Sequence, residues 1–113
     1  MIRALVVDDN VENQELLGQD LTDLNIPFKC AGSIEEAVDL GLNETFDFIL
    51  MDLQIPRRQD NDPVFLGGLE AAKLILACKP GIPILAVTNS RKHEVEKKIL
   101  DAGLAGPMMR SSF

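Results

Sequence analysis

Acidic residues follow two apolar stretches of the chain. Asp8 and Asp9 come directly after the run ALVV, and Asp52 comes directly after the run FILM. Carboxylates crowded together repel one another, so a cluster of three needs a bound cation or raised pKa values. An all-oxygen site that keeps some water ligands suits Mg²⁺. If the two acidic ends meet, one carboxylate beside the metal can act as a nucleophile toward a phosphoryl group.

Short apolar runs alternate with helical periodicity along the whole chain. Strands are predicted at residues 2–7, 28–31, 46–51, 84–87 and 106–109, with a helix in each interval. A Ser-x-x-Glu capping box at Ser33 and Glu36 begins the second helix, and Gly103 ends the fourth. Val11, Leu17, Leu21 and Leu24 recur at helical spacing and predict the first helix. This alternation predicts an α/β fold, with a parallel sheet covered by helices on both faces.

The strand ends are predicted to bring polar side chains together. Ligands of parallel sheets bind outside the carboxyl ends of the strands. Asp8 and Asp9 end the first strand, Asp52 ends the third and Thr88 ends the fourth, so we expect them at one edge. Each residue alone has a simpler interpretation: a helix N-cap for Asp8 or Asp9, a solvated strand end for Asp52, and an ordinary β-branched strand residue for Thr88.

Composition limits the classes of protein to consider. The 113 residues suit a single domain, residues 1–113, and 46% hydrophobic residues are enough for a core. The net charge of −7 argues against direct binding to nucleic acid or to an anionic membrane. No apolar run approaches the roughly 18 residues that a membrane span needs. Two cysteines without metal-binding or redox spacing favour a cytoplasmic protein with reduced thiols.

Five pieces of the chain, in order, resemble the receiver domain of two-component response regulators. They are LVVDDN, ILMDLQIP, GGLEAAKLI, IPILAVT and LDAGLAG. The resemblance implies a flavodoxin-like three-layer sandwich with strand order 2-1-3-4-5. It also implies a phospho-accepting module of a two-component phosphorelay, which signals through protein contacts and is not an enzyme beyond transferring and losing its own phosphoryl group.

The resemblance assigns roles to individual residues. Asp52 corresponds to the phosphoacceptor, which takes its phosphoryl group from a histidine kinase or a histidine phosphotransfer protein. Asp9 corresponds to a direct Mg²⁺ ligand, Asp8 to a ligand acting through water, and Gln54 to the residue whose backbone carbonyl binds the metal beside Asp52. Thr88 corresponds to the hydroxyl that contacts the phosphoryl group. A downstream protein target or a dimer partner is expected to read the state of the module.

The chain departs from the family pattern in its last third and in one loop. The position of the family lysine falls on Arg110, whose planar guanidinium is not equivalent to an ammonium group. The aromatic switch position falls on Pro107, a C-terminal fifth helix is expected to be absent, and the loop at 57–68 is long. These departures favour an alternative, a degenerate receiver that binds partners independently of phosphorylation. A Mg²⁺-dependent phosphohydrolase is a third interpretation, disfavoured because the chain lacks its D-x-D spacing.

Overall fold

The computed structural model describes residues 2–59, 61–88 and 93–109. In chain order the elements are β1 (Ala4–Val7), α1 (Val11–Asp23), β2 (Phe28–Ala31), α2 (Ile34–Asn43), β3 (Phe48–Asp52), α3 (Gly67–Cys78), β4 (Ile84–Thr88), α4 (His93–Asp101) and β5 (Ala105–Met109). The five strands form one parallel sheet in the order β2-β1-β3-β4-β5. The predicted α/β class and strand order are confirmed.

Successive residues of the central strands point to opposite faces of the sheet. In β1, Leu5 and Val7 pack in a large core with residues of α2, α3 and α4, whereas Ala4 and Val6 pack in a smaller core with residues of α1. Both sets are buried, which explains why the strand reads as a continuous apolar run. α1, with 13 residues, is the longest helix in the described ranges, and none there is long and apolar enough to cross a membrane.

Five strand boundaries differ from the sequence prediction. β1 begins at Ala4 and leaves Ile2 exposed, and β3 begins at Phe48 and includes Asp52 as its last residue. β4 extends to Thr88, and β5 begins at Ala105. In α1, Leu17 and Leu21 are buried, whereas Val11, its first residue, and Leu24, its C-cap, are 63% and 68% exposed.

The predicted capping box at the start of α2 is present. The amide of Glu36 donates to Ser33 Oγ at 3.1 Å, and the amide of Gly32 donates to Glu36 Oε1 at 2.6 Å. This reciprocal pair fixes the point at which the chain turns from β2 into α2. The predicted cap of α4, at Asn89 or Ser90, lies outside the described residues.

The long loop between β3 and α3 is tied to α2 through the main chain. The amides of the first two residues of α2 donate to the carbonyl oxygens of Pro56 and Arg57, at 2.8 and 3.0 Å. An antiparallel bridge joins Ile55 to Val64 and closes the intervening residues into a hairpin. The loop therefore supplies partners for helix amides that have none within the helix itself.

Candidate functional site

Three carboxylates meet at the carboxyl edge of the sheet. β1 and β3 are neighbours with Val7 paired to Met51, so Asp8 and Asp52 follow at the same level. Asp8 is fully buried, Asp52 is 6% exposed and Asp9 is exposed. One carboxylate oxygen from each lies within 4.8 Å of the other two. The structure thus brings together the acidic residues that the strand ends predicted.

Local hydrogen bonds hold two of these carboxylates in place. The amide of Asn10 donates to Asp8 Oδ1 at 2.9 Å, and the side chain of Gln14 donates to the Asp8 carbonyl at 2.6 Å. The amide of Gln54 donates to Asp52 Oδ1 at 3.2 Å. Each carboxylate bond comes from the amide two positions further along the chain, and the Gln14 bond holds the main chain of Asp8.

The first helix is capped by a residue outside the acidic cluster. Asn10 is the N-cap of α1, and its Oδ1 accepts a hydrogen bond from the amide of Asn13 at 3.0 Å. The simpler interpretation of Asp8 or Asp9 as the N-cap of this helix was therefore wrong. Helix capping does not explain why two carboxylates follow β1.

Helix α3 begins directly against the end of β3. The amide of Gly68 donates to the carbonyl of Leu53 at 3.0 Å. A Cβ atom at position 68 would overlap the carbonyl oxygen of Asp52 and lie 2.9 Å from Leu53 Cα. Only glycine allows this approach. Gly68 belongs to the family motif GGLEAAKLI. The physical reason for the glycine is not visible in the sequence, because the contact joins the start of α3 to the end of β3.

Thr88 and Gln54 lie on the other side of Asp52 from β1. Val87 pairs with Asp52 in the sheet, so Thr88, which is 7% exposed, lies one residue further along the same edge. Thr88 and Gln54 both line a groove of about 500 Å³ between the end of β3 and α4. Arg110, the predicted cationic partner of the site, lies outside the described residues.

A polar pocket of about 440 Å³ opens beside the exposed member of the cluster. Its lining includes Asp9 and Cys30 on one side and Gln59 and Asn61 of the long loop on the other. Burial raises the pKa of the Cys30 thiol, and the neighbouring Glu36 and Asp8 carboxylates raise it further. The thiol is therefore protonated at neutral pH, which does not favour a role as a nucleophile.

The donor set of the acidic cluster fits a hard divalent cation. The three side chains offer only carboxylate oxygens, and two of them are buried, so their mutual repulsion is poorly screened. Because one oxygen of each side chain lies within 4.8 Å of the other two, a single cation between them would be near all three. The cluster of Asp8, Asp9 and Asp52 is therefore suited to Mg²⁺.

A parallel five-stranded sheet with an acidic cluster at its carboxyl edge defines a receiver-like α/β domain. The family model described as the response regulator receiver domain matches residues 4–110. The chain therefore belongs to the response regulator receiver family, whose members are signalling modules of two-component systems. The family resemblance stated from the sequence is confirmed.

Known proteins similar to the chain include a fungal regulator and two solved receiver domains. The osmolarity two-component system protein SSK1 of Saccharomyces cerevisiae is 37% identical over 98 residues, which are 85% of this chain and 13% of SSK1. The receiver domain of yeast Ssk1, solved with the histidine phosphotransfer protein Ypd1, has a TM-score of 0.80 and 29% identity, covering 96% of this chain and 77% of that one. The receiver domain of the histidine kinase PA1611 of Pseudomonas aeruginosa, solved with magnesium in its active site cleft, has a TM-score of 0.76 and 26% identity, covering 98% and 89%. The chain spans only a small part of the curated relatives that it matches first.

Proposed function

We propose that the chain is a phospho-accepting receiver module and that Asp52 is the phosphoacceptor. The observation that carries this proposal is the meeting of Asp8, Asp9 and Asp52 within 4.8 Å at the edge where parallel sheets bind ligands. Among the three, Asp52 ends the central strand and falls at the phosphoacceptor position of the family motif ILMDLQIP. It is 6% exposed, whereas Asp8 is fully buried, which favours Asp52 over Asp8 for attack on a phosphoryl group delivered from solvent.

The proposed transfer forms an acyl phosphate on Asp52. A carboxylate oxygen bonds to phosphorus while the phosphorus–nitrogen bond to a donor histidine breaks, and the electron pair stays on the imidazole nitrogen. The hydroxyl of Thr88 donates a hydrogen bond to a phosphoryl oxygen. Arg110 takes the place of the family lysine as the cationic contact. The module turns over only its own phosphoryl group and so is not an enzyme in the usual sense.

Mg²⁺ is the proposed cofactor. Asp8, Asp9 and Asp52 would hold it, together with the backbone carbonyl of Gln54. A bound Mg²⁺ supplies positive charge that offsets the carboxylates and the incoming phosphoryl oxygens. The magnesium reported in the active site cleft of the PA1611 receiver domain supports this assignment.

The proposed phosphodonor is a histidine kinase or a histidine phosphotransfer protein. The complex of yeast Ssk1 with Ypd1 supports the second class, because that receiver domain shares 29% of its residues with this chain. Output then passes to a downstream protein or a dimer partner through surface contacts, in the cytoplasm. The net charge of −7 suits a partner with a basic surface better than nucleic acid.

Incubation with acetyl phosphate and Mg²⁺ tests the proposal. Intact-mass measurement should show one added phosphoryl group on the wild type, and none when Mg²⁺ is chelated or when Asp52 is changed to Asn. Asp20→Asn, on the exposed part of α1, is the matched control and should be phosphorylated normally. If the wild type gains no phosphoryl group, or if Asp52→Asn gains one at the same rate, the assignment is wrong.

A degenerate receiver is the second candidate, favoured by Pro107 within β5, where the family pattern has an aromatic residue. It predicts a partner that binds wild type and Asp52→Asn with the same affinity, whether or not acetyl phosphate is present. A partner whose affinity changes with phosphorylation of Asp52 excludes it.

A further inference from the structure

A phenylalanine lies at the rim of the groove that Thr88 lines. Phe65 follows Val64, whose amide donates to the Ile55 carbonyl at 2.9 Å, and it precedes the first turn of α3. Its side chain contributes to the groove lining but is 68% exposed. A large apolar ring is thus kept mostly in water next to a space that it could enter.

The groove is large enough and apolar enough to hold the ring. Leu53, Leu66 and Val95 are its apolar lining residues, Glu94 and Lys98 of α4 also line it, and its volume is about 500 Å³. A cavity of about 150 Å³ already holds benzene when its walls are apolar. Rotation of the Phe65 side chain into this space would remove apolar surface from water, which is favourable.

The backbone beside Phe65 is held in a less populated conformation. Leu66 is the N-cap residue of α3 and has φ 55°, in the left-handed region that side-chain-bearing residues seldom adopt. No side-chain hydrogen bond caps the helix at this residue. A leucine in this region costs free energy that surrounding contacts must offset, so the segment beside Phe65 depends on those contacts.

Three residues that line the groove are neighbours of the proposed phosphoacceptor. Leu53 and Gln54 follow Asp52 directly, and Thr88 lies beside it across the sheet. Thr88 lines the groove and is only 7% exposed. Rotation of its side chain therefore changes the shape of the groove and has little effect on its contact with solvent. A phosphoryl group on Asp52 draws the Thr88 hydroxyl toward the new oxygens and so acts directly on the space beside Phe65.

We propose that phosphorylation of Asp52 drives the ring of Phe65 from the surface into the groove beside Thr88. The ring is then the element that reports the state of the acceptor on the surface between α3 and α4. This inference rests on the proposed function, because it requires a loaded acceptor.

A tryptophan at position 65 tests the proposal with little background. The chain contains no Trp and no Tyr, so Phe65→Trp places the sole strong fluorophore at the rim of the groove. Mg²⁺ with beryllofluoride serves as the loading agent, and fluorine NMR of the bound beryllofluoride measures loading independently. Loading should shift the emission to shorter wavelength and lower the acrylamide quenching constant at least about twofold, since the ring leaves water.

Three controls separate the possible outcomes. Leu100→Trp places the fluorophore at a position of α4 that is 61% exposed, and its emission should not respond to loading. In the Phe65→Trp background, Thr88→Ser retains the hydroxyl and should retain the response, whereas Thr88→Val should lose it at full loading. Loaded Phe65→Trp with unchanged emission overturns this inference alone, as does an undiminished response in Thr88→Val. Failure to load overturns the proposed function and this inference with it.

Discussion

Replacing Gly68 with alanine tests how closely α3 packs against the acceptor strand. Helix propensity alone favours alanine by at most about 1 kcal/mol. Against this, the new Cβ would overlap the Asp52 carbonyl oxygen and lie 2.9 Å from Leu53 Cα and 3.0 Å from the Asp52 carbonyl carbon. All three are backbone atoms at the end of the central strand and cannot rotate away. The cost of this steric clash should therefore exceed the gain in helix propensity, and Gly68→Ala should lower the free energy of unfolding.

The size of the effect follows from what the new methyl group meets. Overpacking costs about 1 to 3 kcal/mol, and a backbone obstacle belongs at the upper end, so subtracting at most about 1 kcal/mol of propensity leaves a net loss of about 2 kcal/mol. Gly41→Ala meets the flexible Ile75 Cδ1 at 2.8 Å and should lose less. Gly81→Ala meets nothing within 4 Å and should change the free energy of unfolding by no more than about 0.5 kcal/mol.

Urea unfolding followed by circular dichroism measures the three free energies of unfolding. The expected order of destabilisation is Gly68→Ala, then Gly41→Ala, then Gly81→Ala. Because the obstacle at Gly68 is the backbone of Asp52, this variant should also be phosphorylated more slowly by acetyl phosphate under conditions where it is folded. If Gly68→Ala unfolds at the same urea concentration as the wild type, the close approach of α3 to the acceptor strand is not as described.

Two further predictions concern titratable groups. Hydrogen bonds from Lys29 and Arg3 lower the pKa of Glu44, so their stabilisation is present above the ordinary glutamate pKa and is lost as pH falls through the lowered value. The stability difference between wild type and Glu44→Gln, measured by unfolding across pH, should therefore shrink in acid, and a constant difference would contradict this. Burial raises the pKa of Cys30 and Cys78 is exposed, so iodoacetamide at neutral pH should label Cys78 first by peptide mass mapping. Earlier labelling of Cys30 would show that the thiol is more accessible than described.

The parallel sheet and the acidic cluster were predictable because their signals are contiguous in the sequence, whereas the strand order was predicted from the family resemblance. A strand buried on both faces must be apolar at every residue, so β1 and β3 stand out as runs that end in carboxylates. The parallel order of the strands then places Asp8 and Asp52 at one edge. The capping box at Ser33 was predictable for a similar reason, since both of its hydrogen bonds lie within four residues.

Contacts between distant elements were not predictable in this way. Val11 and Leu24 share the helical spacing of the buried Leu17 and Leu21 but are exposed, because the point at which a helix leaves the sheet depends on crossing geometry and not on its own sequence. The length of the loop after β3 indicated a departure from the family. Its bonding to the first amides of α2 had no local signal, because backbone carbonyls of any residue can accept those bonds.

The packing around Asp52 is tighter on the side of α2 than on the side of α4. On the side of α2, the loop after β3 is fixed by hydrogen bonds from the first two amides of α2 to the carbonyl oxygens of Pro56 and Arg57. At Gly68, α3 packs so closely against the backbone of Asp52 that there is no room for a Cβ atom. On the side of α4, the acceptor edge borders a groove of about 500 Å³ with an exposed ring at its rim. Close-packed regions resist displacement, whereas a groove can change shape at small cost. A new charge on Asp52 should therefore move atoms toward Thr88 and Phe65, and the surface between α3 and α4 should carry the signal.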